Sequence, residues 1–215
     1  MWQLHSPALK RGPRVILQNV AIDIAPGERV ALLGASGAGK STLLTSFRQR
    51  YPDDAAWCPQ DPGLVPMLSV FHNIYMGRLA QYSAWKNLRN LVRPQSSELK
   101  EVETVATELG ISALMYTSVD RLSGGQVQRT ALGRALYTRR PLLLADEPVS
   151  SLDEHQAQQL LETALAAHQA SLVALHDRSL ALQCCTRVIG LRHGQIVMDE
   201  PVASLTLTDL DRLYQ

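Results

Sequence analysis

The chain carries almost no net charge: 21 Lys and Arg stand against 20 Asp and Glu, leaving +1 at neutral pH. A protein whose main task is to neutralise a nucleic-acid backbone needs a basic surplus, so that class is set aside and no nucleic-acid partner is expected. Cysteine is scarce too. Cys58, Cys184 and Cys185 form neither a disulfide framework nor a spaced metal set, which points to a reducing compartment. The adjacent Cys184 and Cys185 read as small apolar core residues. The opening MWQLHSPALKRGPR lacks the apolar stretch of a signal peptide. Long apolar runs are missing as well. The longest uncharged run, Pro62 to Gly77, contains Pro66, His72 and Asn73 and does not read as a spanning helix. No internal repeat or low-complexity segment is found. A soluble, cytoplasmic chain is expected, and any action at a membrane needs a partner to supply the spanning part.

What is present is enough chain for a sizeable core: 215 residues, 46% of them hydrophobic. Val20, Ile22 and Ile24 alternate with Ala21 and Asp23 as in a strand, and Pro26-Gly27 turns the chain. Val30 to Leu33 is a continuous apolar run of the kind buried on both faces of a sheet. Gly34 to Gly39 is a glycine-rich loop, and a helix is expected from Lys40 to Gln49. Strand, loop and helix together open an α/β unit. From Ser69 to Leu109 the pattern turns helical, with Glu98, Lys100, Glu101, Glu103 and Glu108 as a solvated face. Ser123 is the expected N-cap of a helix reaching Tyr137. Leu142 to Ala145 and Leu172 to Leu175 read as further buried strands, separated by a helix from about Glu154 to His168. Val188 to Leu191 and Gln195 to Met198 flank His193-Gly194 as a hairpin.

Three constellations carry chemistry. Gly34, Ala35, Ser36, Gly37, Ala38, Gly39, Lys40, Ser41 and Thr42 fit the phosphate-loop pattern G-x-x-x-x-G-K-S/T between a strand and a helix. Such a loop turns several backbone N–H groups toward one anion, and the helix adds its positive end. Lys40 is expected to reach the β- and γ-phosphates and Ser41 to ligate Mg²⁺. Asp146 and Glu147 end a buried strand, where ligands of open α/β sheets gather. There Asp146 suits ordering of the Mg²⁺ shell and Glu147 suits polarisation of an attacking water. Finally, Leu122-Ser123-Gly124-Gly125-Gln126 precedes a helix and offers a second array of N–H groups to an anion.

GASGAGKST, LSGGQ, LLLADEP, SSLD (Ser150 to Asp153) and LHD (Leu175 to Asp177), in this order, resemble the nucleotide-binding subunit of ATP-binding-cassette (ABC) transporters from about Asn19 to Tyr214. The resemblance implies a phosphate-loop NTPase of ABC type, α/β, with a mostly parallel core sheet, an antiparallel β region and a helical subdomain. As one ABC ATPase domain, residues 1–60 and 121–215 would form the core and about 61–120 the helical part. ATP and Mg²⁺ are the implied cofactors. Gln60 matches the glutamine that touches Mg²⁺ and the attacking water. His176 matches the switch histidine on the γ-phosphate. Ser123, Gly124, Gly125 and Gln126 match the signature that closes on ATP held by another subunit. Implied partners are a second copy, head to tail, transmembrane permease subunits, and a periplasmic or extracellular binding protein. The implied place is the cytoplasmic face of a bacterial inner membrane, as a peripheral subunit.

The chain departs from that family in two places. Only twenty residues separate Lys40 from Gln60, so the outer antiparallel region must be trimmed. The adenine-stacking aromatic is also missing near Leu9 to Pro13, leaving Trp2, His5 or Arg11 as substitutes. LVPMLSVFHNIYMGRL (Leu64 to Leu79) and RVIGLRHGQIVMDEP (Arg187 to Pro201) look like the ATPase of phosphonate importers. The alternatives are an exporter ATPase, a soluble cassette acting on nucleic acid or ribosomes, and a non-hydrolysing nucleotide sensor. Glu147, Gln60 and His176 together speak against the last.

Overall fold

A computed structural model describes residues 1–214. The elements begin with β1 (Trp2–Arg11), β2 (Arg14–Ile24), β3 (Arg29–Leu33), α1 (Lys40–Arg50) and β4 (Ala55–Cys58). Helices α2 (Val70–Tyr75), α3 (Ala84–Val92), α4 (Ser96–Glu108) and α5 (Gly124–Tyr137) follow. Then come β5 (Leu142–Asp146), α6 (Glu154–Ala166), β6 (Ala170–Ala174) and α7 (Arg178–Cys184). The chain closes with β7 (Arg187–Arg192), β8 (Gln195–Pro201) and α8 (Leu207–Asp211). It divides into two compact units. The first holds Met1–Gln60, Arg140–Ser150 and the chain from His168 onward; the second holds Asp61–Arg139 and Ser151–Ala167.

The first unit is built on a six-stranded sheet in the order β4-β5-β6-β3-β7-β8. All pairings are parallel except β7 with β8. Val30 lies between Leu172 and Arg187, and the runs Val30 to Leu33 and Leu142 to Ala145 are fully buried. Such unbroken apolar runs are what a strand covered on both faces requires. The hairpin of β7 and β8 turns at His193 and Gly194, both at positive φ.

Strands β1 and β2 form a separate antiparallel pair, with Trp2 opposite Ile24 and Leu4 opposite Ile22. Its buried Trp2, Leu17, Ile22 and Ile24 cluster with Leu43, Leu44 and Phe47 of α1. Each such side chain contributes about 1.5–3 kcal/mol of burial. Only Tyr51 to Asp54 separate α1 from β4, and among the described residues the separate antiparallel sheet has two strands. This packing also corrects one expectation. Trp2 is buried, and its indole N–H donates to Asp54 Oδ2 at 3.0 Å, so it cannot stack on an adenine. His5 and Arg11 remain exposed, His5 against Asp23 Oδ1 at 2.7 Å.

The second unit takes in more chain than the expected 61–120, because α5 and α6 group with the helices. Gly133 explains part of this: a Cβ there would stand 3.0 Å from Ile74 and 3.1 Å from Leu109, so glycine lets α5 lie against α2 and the end of α4. Arg129 adds a polar tie, donating to Leu109 O at 2.7 Å and to Gln156 Oε1 at 2.7 Å. Asn73, fully buried, fastens the preceding loop. Its Nδ2 donates to the carbonyls of Val65, Leu68 and Ser69, and its Oδ1 accepts from Val65 N.

Cys58, Cys184 and Cys185 are all buried, and for Cys184 and Cys185 this agrees with their reading as core residues. Burial, with Cys184 adjacent, pushes the Cys185 thiol up to about 12.

Candidate active site

Strands β4, β5, β6 and β3 run side by side and parallel, so their carboxyl ends share one edge. Gln60 follows β4, Asp146 and Glu147 end β5, His176 follows β6, and Gly34 opens the loop after β3. Four stretches far apart in sequence thus deliver their polar residues to one place.

The loop itself is glycine-dependent. Gly34 has φ 145°, and a Cβ there would stand 2.3 Å from Leu191 O. No side chain caps α1, whose N-cap is Gly39, so its first N–H groups are left for an anion. The Lys40 ammonium lies inside the curl and donates to Gly34 O at 2.6 Å and Ala35 O at 3.2 Å. Burial lowers its pKa, while the charges of Glu147 and Asp146 act in the opposite direction. Ala35, Ser36, Gly37 and Ser41 are exposed, Thr42 is half-buried, and Ala38 is buried.

Glu147 is a non-glycine residue at φ 53°, a conformation that costs on the order of 1–3 kcal/mol. Its N–H donates to Ala174 O at 3.1 Å, which holds the turn. So aimed, its Oε1 lies 2.5 Å from His176 Nε2, and its Oε2 accepts from Gln60 Nε2 at 3.2 Å. Of the three expected catalytic residues, Glu147 therefore contacts both of the others. Asp146 is buried at the strand end. Ser41, Asp146 and Gln60 offer a hydroxyl, a carboxylate and an amide oxygen, hard donors that suit Mg²⁺, which takes few protein ligands and completes its shell with phosphate and water. Among the described residues, no cluster of three or more His, Cys, Asp and Glu is placed to hold a metal.

The signature lies in the second unit. Ser123 caps α5 in a capping box: its Oγ accepts from Gln126 N at 3.4 Å, and Gln126 Oε1 accepts from Ser123 N at 3.0 Å. The Ser123 and Gln126 side chains are thus occupied locally. A Cβ on Gly125 would meet Leu152 Cδ2 at 2.6 Å, so glycine permits the SSLD loop to lie against the helix start. Sequence reasoning missed Gln128, whose Oε1 accepts from Ser151 N at 2.9 Å and fixes that loop. Its only signal was a second glutamine two residues after LSGGQ. Asp153 and Asp177, which close SSLD and LHD, are the N-caps of α6 and α7.

The ABC transporter family model matches residues 17–56 and 48–150. The chain belongs to the ABC transporter ATP-binding domains. It is an ATP hydrolase of the kind coupled to transmembrane transport. Over 237 residues it is 35% identical to the phosphonates import ATP-binding protein PhnC of Polaromonas sp., covering 97% of this chain and 85% of that protein. The PhnC of Pseudomonas entomophila is 36% identical over 241 residues, 99% of this chain and 90% of that protein. Among solved structures, the dimeric bacterial ABC transporter cassette MJ0796 superposes with a TM-score of 0.80 at 22% identity, covering 94% of this chain and 99% of that one. A nucleotide-free ABC cassette gives a TM-score of 0.77 at 20% identity over 93% of this chain and 90% of that one. These similarities confirm the ABC cassette fold.

Proposed function

We propose that this ABC ATPase binds ATP with Mg²⁺ at the shared strand edge and drives a bacterial importer of phosphonates or a related oxyanion. The main support is Glu147, held between Gln60 and His176 at the end of β5. In this scheme Gly34 to Thr42 cradle the triphosphate, and Lys40 neutralises the β- and γ-phosphates. Ser41, Asp146 and Gln60 hold Mg²⁺, which when bound offsets phosphate charge. Glu147 takes the proton of the attacking water, and His176 donates its N–H to the γ-phosphate.

The signature amides of Gly124 and Gly125 serve the ATP of a second copy, arranged head to tail. Permease subunits dock where Val65 and Met67 stand exposed after Gln60. A binding protein outside the membrane completes the complex, and this chain sits on the cytoplasmic face of the inner membrane. Import of phosphonate is the finer part, and its support is the PhnC similarity over nearly the whole chain. No observation favours an exporter or a nucleic-acid role.

The test is reconstitution of the chain with its co-purifying permease and ATP-dependent uptake of a methylphosphonate. Val65→Glu with Met67→Glu should abolish uptake and spare basal hydrolysis. Uptake of an unrelated solute only would replace the phosphonate assignment, and outward transport would replace the importer assignment.

A further inference from the structure

Helix α3 is packed inside out. Its amides face the interior of the second unit: buried Asn90 donates to Lys86 O at 3.1 Å and to the Tyr75 hydroxyl at 3.3 Å. The Tyr75 hydroxyl in turn donates to Asn87 Oδ1 at 3.0 Å. The apolar residues face out, with Trp85 79%, Leu88 51%, Leu91 50% and Val92 80% exposed. At the helical period these four fall on one arc, opposite to the arrangement of an ordinary surface helix. An open groove of about 1020 Å³ lies along that arc beside the start of α4.

The charges on α3 itself are positive, and Glu98 at the start of α4 is the one acid lining the groove. No Asp or Glu occurs between Asp61 and Glu98, a stretch that contains Arg78, Lys86, Arg89 and Arg93. Glu98 is almost fully buried and consumed by Lys86 at 2.6 Å, and Arg78 is bound to Glu101 at 2.6 Å. Arg89 bonds only the neutral Gln95 side chain, and Arg93 has no acidic partner among the described residues. Both follow the edge of the apolar arc, one turn apart.

We propose that α3 is a membrane-surface anchor whose Trp85–Val92 face lies in the headgroup layer of an anionic bilayer, with Arg89 and Arg93 on lipid phosphates. An indole and leucines on one face with arginines at the rim are the pattern of an interfacial helix. Arg89 and Arg93, with the one lining acid Glu98 buried and paired to Lys86, supply the complementarity to a negative surface. A helix this short binds reversibly and adds to whatever else holds the chain at a membrane.

The test uses the purified full chain with vesicles of phosphatidylglycerol and phosphatidylcholine, against phosphatidylcholine alone. Two arginines at a charged surface predict roughly 30-fold tighter binding to the anionic vesicles, weakened by salt. Arg89→Gln with Arg93→Gln should erase that preference, and Trp85→Ser should weaken binding, both with ATP hydrolysis retained as the check on folding. A blue shift of tryptophan emission on binding should be absent in Trp85→Phe. Equal binding to both vesicles, no binding to either, or undiminished binding by these variants overturns the proposal. So does recruitment only to vesicles that contain the permease, which would assign the face to a protein helix.

Discussion

Glu147 Oε1 stands 2.5 Å from His176 Nε2, across the ends of the neighbouring strands β5 and β6. The acid and the histidine hold one another in place, and Gln60 closes the other side of the carboxylate. This contact exists because Glu147 accepts a positive φ. An extended conformation would turn its side chain elsewhere.

Replacing the histidine should therefore be costly for chemistry and cheap for binding. His176→Ala is expected to lower ATP turnover by ~10²–10⁴-fold, because it removes the proposed γ-phosphate donor and frees the Glu147 carboxylate. Nucleotide affinity, measured by a fluorescent ATP analogue, should change little.

Gly34→Ala should damage the fold as well as the site. The new Cβ would stand 2.3 Å from Leu191 O, and the φ of 145° is one that alanine resists. A loss of roughly 2 kcal/mol or more is expected, read as a lower Tm together with loss of nucleotide binding.

The Lys86–Glu98 pair should make stability depend on pH in a defined direction. Burial would raise the Glu98 pKa, but hydrogen bonds from Lys86 and Ser97 outweigh it and hold the carboxyl below its ordinary 4.5. A depressed folded pKa means that the stabilisation is present above the unfolded value and is lost as pH falls through the folded one. Glu98→Gln should thus melt below wild type at pH 7, and the gap should close in acid below the ordinary glutamate range. Thermal melts across pH measure this directly.

Much of the site was legible because its motifs are local. The phosphate loop, the acids after β5 and the signature each need residues adjacent in sequence, and their flanking apolar runs placed them at strand ends or helix starts. The contact of Glu147 with both Gln60 and His176 was not legible, since it depends on strand order and on one backbone angle. Strand β1 is not legible because Pro7 and the exposed Lys10 and Arg11 interrupt its alternation. The inverted packing of α3 was hidden as well. Its amphipathic pattern is plain, but sequence does not say that Asn87 and Asn90 face inward.

If two copies share each ATP, mixed dimers should reveal it. With Lys40→Ala in one subunit and Gly125→Asp in the other, one intact site remains and hydrolysis should be measurable. With both changes in one subunit, both sites are damaged. A self-contained site gives the opposite ranking.

The most direct test is ATP hydrolysis by Glu147→Gln, measured beside ATP binding in the same preparation. The substitution keeps the shape of the side chain and removes the charge proposed to take the proton from water. Turnover should fall by ~10²–10⁴-fold while ATP still binds. Near-normal turnover would show that another group is the base, and that the Glu147, Gln60 and His176 cluster is not the catalytic centre.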